Sequence, residues 1–137
     1  MVRMLLLSHG ELSKEIYNTL ELVYGKMKKV HYIIMEEGQD MGEYREKISS
    51  YIQEEQLPVI IFVDLLGGSP FLTATNVCKD QILDKKVEII TGMNLPMLLE
   101  SLSHVDDEDI DIEKMINIAM EAGNMGIKRL GNILKGE

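Results

Sequence analysis

Two apolar runs end in residues that could carry nucleophilic chemistry. Met4-Leu5-Leu6-Leu7 leads straight into Ser8-His9-Gly10, and Val59-Ile60-Ile61-Phe62-Val63 leads into Asp64 and then Gly67-Gly68-Ser69-Pro70. An imidazole can attack through one ring nitrogen when a carboxylate holds the other, because the partner fixes the tautomer and orientation and balances the charge the ring gains. His9 and Asp64 are the residue types for such a pair, provided that the strands they end are neighbours. Gly67 and Gly68 offer backbone N–H groups with no side chain over them. Ser69 is a natural N-cap and Pro70 suits the first helical position, so the turn places the positive end of a helix dipole where an anion such as a phosphoryl group could sit. Gly10 keeps the imidazole accessible and lets backbone amides approach a ligand.

Each signal has a plainer reading when taken alone. A histidine at a strand end reads first as a hydrogen-bonded structural residue, Asp64 as a turn-former, and Gly-Ser-Pro as a common helix entry. Their combination changes the balance, because all three follow strands, and open parallel sheets build ligand sites outside the carboxyl ends of their strands. Gly92 and Asn94, which follow a further apolar run, qualify for the same edge.

The elements that must position these groups alternate. A strand over Arg3–Ser8 precedes a helix from Leu12, with Leu12, Ile16, Leu20 and Val23 at helical spacing and Gly25 at its end. A strand over Lys29–Met35 and a helix over Met41–Glu55, with Tyr44, Ile48 and Ile52 inward, precede a buried strand over Pro58–Val63. A helix capped by Ser69 is expected to about Gln81, a strand over Lys86–Thr91, a helix from Asn94 or Leu95 to about Ser103, and one from Ile112 that Gly123 and Gly126 end. Met115, Ile116 and Ala119 share the inner face of that last helix with Ile112. The tail from Gly126 to Lys135 reads as an extra strand or a docking segment. The alternation predicts a doubly wound α/β fold with a mainly parallel sheet and helices on both faces.

Composition narrows the function. A chain of 137 residues suits one domain, and its 45% hydrophobic and 27% charged residues suit a globular one. A net charge of -9 argues against a broad surface for nucleic acid or anionic lipid, so phosphate chemistry must rely on local donors. No apolar run approaches the roughly 20 residues of a membrane span, and Met1–Leu7 lacks the features of a signal peptide, so a cytoplasmic protein without membrane insertion is expected. Cys78 is the single cysteine and reads as a buried apolar residue.

Three ordered segments, Leu6–Gly10, Val63–Phe71 and Gly92–Leu98, resemble the active-site opening, signature loop and later loop of the mannose-class enzyme IIA family of the bacterial sugar phosphotransferase system. The resemblance runs over nearly the whole chain. It implies a phosphoryl carrier that takes phosphate from phospho-HPr on His9 and passes it to enzyme IIB, and from there to a sugar entering through the membrane enzyme IIC/IID transporter. It implies Asp64 as orienting partner, Ser69 as hydroxyl donor to the phosphoryl group, and Gly10, Gly67, Gly68 and Asn94 around the pocket, with no cofactor or metal. It further implies strand order 2-1-3-4, completed by an antiparallel strand from 126–131 exchanged in a homodimer. The family's usual Phe-Asn after Ser-Pro is Phe71-Leu72 here, read as a tuning difference. Some members carry a fused enzyme IIB after an Ala/Pro-rich linker; this chain ends at Glu137 without one, so a single domain over 1–137 and a separate enzyme IIB are expected.

Rival readings are weaker on specific residues. A receiver domain phosphorylated on Asp64 wants an acidic pair after the first strand, where this chain has Ser8-His9. A histidine phosphatase wants arginines to clamp phosphate, and Arg3, Arg45 and Arg129 fall at no strand end beside His9. A Ser69-His9-Asp64 hydrolase lacks a nucleophile elbow, since Phe71 occupies the last position. Within the resemblance, the nearest competing reading is the related domain that donates phosphate to a dihydroxyacetone kinase, but the Gly67–Phe71 signature favours the sugar branch. His31, His104 and the acidic run from Asp106 to Asp109 read as structural or solvated.

Overall fold

The computed structural model describes residues 1–54 and 58–137. The described elements follow in the order β1 (Arg3–His9), α1 (Leu12–Tyr24), β2 (Val30–Met35), α2 (Met41–Glu54), β3 (Val59–Val63), α3 (Ser69–Val77), α4 (Lys79–Leu83), β4 (Val87–Ile90), α5 (Leu95–Leu102), α6 (Ile112–Met125) and α7 (Leu130–Leu134). The four strands form one parallel sheet in the order β2-β1-β3-β4. Each parallel neighbour requires a crossover, and the intervening helices supply it.

Strand alternation divides the interior in two. Met4, Leu6, Ile60 and Phe62 point to one face, where they meet Leu20 of α1, Met97, Leu98 and Leu102 of α5, and Met115 and Ala119 of α6. Leu5, Leu7, Val59, Ile61 and Val63 point to the other, against Tyr44, Ile48, Tyr51 and Ile52 of α2 and Ala74 of α3. Burial on both faces explains the unbroken apolar runs of β1 and β3. In register, Leu7 stands opposite Val63, so Ser8-His9 and Asp64 leave the sheet side by side.

Several expectations change in detail. The inner face of α1 is centred on Ser13 and Leu20 with Ile16 and Tyr17 beside them, and Leu12 and Val23 lie rotated toward its rim and are exposed. The N-cap of α3 is Gly68, not Ser69, which is the first helical residue and makes no side-chain cap. The expected helix to Gln81 breaks at Cys78 into α3 and α4. Cys78 is buried, and burial pushes its thiol up to about 11, away from nucleophilic reactivity. Gly123 does not end α6; the helix runs through it to Met125. The expected last residue of α2, Glu55, lies outside the described residues.

The tail also differs. Residues 130–134 form the short helix α7, in which Asn132 and Ile133 N–H groups donate to the Arg129 carbonyl, instead of an extended strand. A strand needs a neighbour to take its backbone groups, whereas a helical turn satisfies them locally. In this single chain the tail takes the local solution.

Candidate functional site

The site begins with one parallel pair. Because β1 and β3 are adjacent, His9 and Asp64 meet although 55 positions separate them in sequence. His9 Nδ1 lies 2.8 Å from Asp64 Oδ2, and the His9 backbone N–H donates to the same oxygen at 2.9 Å. The other oxygen, Oδ1, accepts from the Leu65 N–H at 2.9 Å. With the proton on Nδ1, the ring donates to the carboxylate and Nε2 keeps its lone pair facing outward. Burial by itself would raise the Asp64 pKa; the two hydrogen bonds and the charge of His9, with the Leu65 N–H, outweigh it and hold the carboxyl below its ordinary value. Asp64 thus stays ionised and anchors the ring, which is 42% accessible against 10% for Asp64 and faces solvent.

The glycine turn fits around the ring. A Cβ on Gly68 would lie 2.6 Å from His9 Cε1 and 3.2 Å from Nε2, so this position has room for hydrogen only. The absence of a side chain lets the N-terminus of α3 stand against Nε2 of the ring. Gly67 has φ +81°, a left-handed turn that brings the chain back toward the ring, and Cβ space there is open. Gly10, at φ +56°, turns the chain away from β1, and its carbonyl accepts from the Met35 N–H at 3.3 Å. Of the three glycines expected around His9, Gly68 packs against the ring, while Gly10 and Gly67 make left-handed turns on either side of the pair.

Ser69 is exposed at the start of α3, beside Gly68, with its hydroxyl outside any cap. Asn94 is placed differently from the ring partners. Its Oδ1 accepts from the Met97 N–H at 3.0 Å as the N-cap of α5, and its Nδ2 donates to the Gly123 carbonyl at 3.2 Å. The loop that carries it is tied to the site's strand, since the Met93 N–H donates to the Val63 carbonyl at 3.1 Å. His31 sits in β2 with its ring 5.4 Å from that of Tyr51, and His104 pairs with Asp107 at 2.8 Å; neither belongs to the His9 group. A concavity of about 660 Å³ lined by His31, Tyr32 and Tyr51 lies between β2 and α2 and does not include His9.

Sequence reasoning missed Ser8 and Ser13. Ser8 is fully buried, and its Oγ accepts from the Ser13 N–H at 2.7 Å; the Ser13 Oγ donates to the Ile33 carbonyl at 3.2 Å. Together they lock the turn from β1 into α1 around His9. Two hydroxyl residues flanking a strand-to-helix turn are the available signal.

An α/β sheet with a carboxylate-held histidine and a glycine-opened helix N-terminus at its carboxyl edge defines a class of group-transfer site. The chain belongs to the family described as the PTS system fructose IIA component, whose model matches residues 3–120. It is 30% identical over 125 residues to the PTS system mannose-specific EIIAB component of Escherichia coli K12, covering 90% of this chain and 38% of that protein. The chain thus spans well under half the length of this relative. Among solved structures it superposes on the phosphotransferase system component EIIA from Streptococcus agalactiae with a TM-score of 0.86 at 23% identity, covering 96% of this chain and 99% of that one. It also superposes on the PTS IIA protein associated with the fucose utilization operon from Streptococcus pneumoniae, with a TM-score of 0.80 at 25% identity over 97% and 96% of the two chains.

Proposed function

We propose that this protein is a cytoplasmic phosphoryl carrier of a sugar phosphotransferase system, loaded on His9 from phospho-HPr and unloaded onto an enzyme IIB that serves a membrane enzyme IIC/IID transporter. The observation that carries the reading is the 2.8 Å contact between His9 Nδ1 and Asp64, which leaves Nε2 beside the Gly68 backbone. In the transfer, Nε2 attacks the phosphorus in line. The donor N–P bond breaks as the Nε2–P bond forms, and the donor ring leaves with its electron pair. Asp64 balances the positive charge that His9 gains, the α3 N-terminus faces the phosphoryl oxygens, and the Ser69 hydroxyl donates to one of them. Unloading reverses these steps toward enzyme IIB. Positioning and charge balance suffice, so neither nucleotide nor cofactor enters the relay.

Asn94 contributes by holding its loop against α6, through the cap and the Gly123 contact, at the edge of the pocket. Leu65, Leu66 and Leu72 are exposed around the glycine turn and suit contact with protein partners. A homodimer completed by exchange of the segment 126–131 is part of the same reading. A receiver-like role is disfavoured because the oxygens of Asp64 are committed to His9 and Leu65. Relatives in sugar systems favour this branch over a donor to a dihydroxyacetone kinase.

The decisive experiment incubates the protein with phospho-HPr and maps the product. Acid-labile, base-stable phosphate on His9 that a His9→Ala variant does not acquire is expected. Labelling of Asp64, or no transfer, overturns the reading.

A further inference from the structure

Tyr44 lies in the first turn of α2. α2 follows β2 and α3 follows β3 in a parallel sheet, so the first turns of both helices stand toward its carboxyl edge, the edge that carries His9 and Asp64. Tyr44 is 0% exposed and shares its packing cluster with Leu7 and Val63, which immediately precede Ser8-His9 and Asp64. Its hydroxyl is buried and has no hydrogen-bond partner among the described residues. A phenylalanine would fill the same space without an orphaned polar atom, so the hydroxyl calls for an account in terms of what it faces. Burial first, and then the nearby Asp64 charge, push the phenol well above its ordinary pKa, which keeps it a neutral O–H donor throughout.

We infer that Tyr44 is a positioning residue for the transfer, acting through Asp64: its O–H turns its positive end toward the carboxylate and takes up part of the field that Asp64 exerts on the His9 ring. Among the described residues no competing acceptor holds the hydroxyl elsewhere, and Tyr44 is fully buried, which leaves its dipole weakly screened by solvent. The inference rests on His9 as the phosphoryl acceptor. A carrier has to accept a phosphoryl group and also release it. A carboxylate acting at full strength makes the ring a better nucleophile and a poorer leaving group, so the hydroxyl shifts the balance toward release.

The test is Tyr44→Phe, which keeps the ring and removes only the oxygen. The titration midpoint of the Asp64 carboxyl, followed by its 13C shift, rises by about 0.5 unit, roughly threefold in proton affinity. The exchange equilibrium with phospho-HPr moves about threefold toward phosphorylated His9, the same factor. At neutral pH the melting temperature changes little, because relief of a buried donor without a hydrogen bond and loss of its attraction to the carboxylate oppose each other. An unmoved Asp64 midpoint with an unmoved exchange equilibrium overturns the inference. If the wild-type protein takes no phosphate from phospho-HPr, the carrier reading fails while the Asp64 titration still decides the role of Tyr44.

Discussion

At the scale of single residues, the His9–Asp64 pair makes opposite demands on shape and charge, and variants separate them. Asp64→Asn keeps the shape but removes the charge that supports the ring, so phosphoryl transfer from phospho-HPr slows by about 10- to 100-fold without unfolding; unchanged stopped-flow kinetics would take Asp64 out of the site. The same carboxylate makes acid stability informative. Its pKa is lowered in the folded protein, so its contribution is present above the ordinary value of 3.8 and is lost as pH falls below it toward the folded value. Urea midpoints at pH 7 and pH 3 should therefore differ more in the wild type than in Asp64→Asn. Gly68→Ala tests shape. Its φ of -74° suits alanine, but the new Cβ would lie 2.6 Å from His9 Cε1. The ring must move, and transfer should fall by at least about 10-fold with the melting temperature nearly unchanged. Gly67→Ala is the converse, with open space but φ +81°, and costs about 1–2 kcal/mol of stability while sparing the ring contact.

At the scale of elements, the glycines near the end of α6 argue that a helix-breaking residue can be a packing residue. A Cβ on Gly123 would lie 2.7 Å from Met97 Cε, and one on Gly126 2.5 Å from Pro96, so α5 and α6 approach closely at these two positions. Gly123→Ala gains helix propensity yet should lower stability by about 1–3 kcal/mol through overpacking, measurable by chemical denaturation; a stabilised variant would show that the contact relaxes freely. This also marks what could be read in the sequence. The alternation of short apolar runs with helical spacings indicated the parallel sheet, and once β1 and β3 are neighbours His9 and Asp64 must meet. Gly123 reads as a helix end because propensity is local, whereas the Met97 contact comes from 26 positions earlier and depends on packing. Ser69 has the side chain of a cap, but the loop leaves Gly68 in the extended capping conformation instead. The carried-over motif placed Asn94 at the pocket, but its two hydrogen bonds to Met97 and Gly123 depend on how α5 meets α6 and could not be read from a loop. The orphaned hydroxyl of Tyr44 was equally invisible, since an inward tyrosine on a helix says nothing of what its oxygen faces.

At the scale of the whole molecule, the edge that carries His9 and the tail pose separate questions. His9, Asp64 and Gly68 make their contacts within one chain. The segment after α6 buries almost nothing: Ile127, Leu130, Ile133 and Leu134 are 51–78% exposed, and Met125 beside them is also exposed. Apolar residues concentrated on an exposed terminal segment are costly in a lone protomer, and a second copy is the partner that the proposed strand exchange provides. Light scattering coupled to gel filtration should then give a mass of roughly twice 15.6 kDa for the full chain, and about one protomer for a variant lacking residues 127–137. The same truncation should leave loading of His9 within about twofold, because it removes no contact of the ring, and should lower stability little in the isolated protomer. A full-length monomer at tens of micromolar would sink the exchange. A truncated protein that stays dimeric would move the interface away from the tail. Loss of phosphorylation on truncation would show that the second copy completes the site, and would tie the two ends of the molecule together.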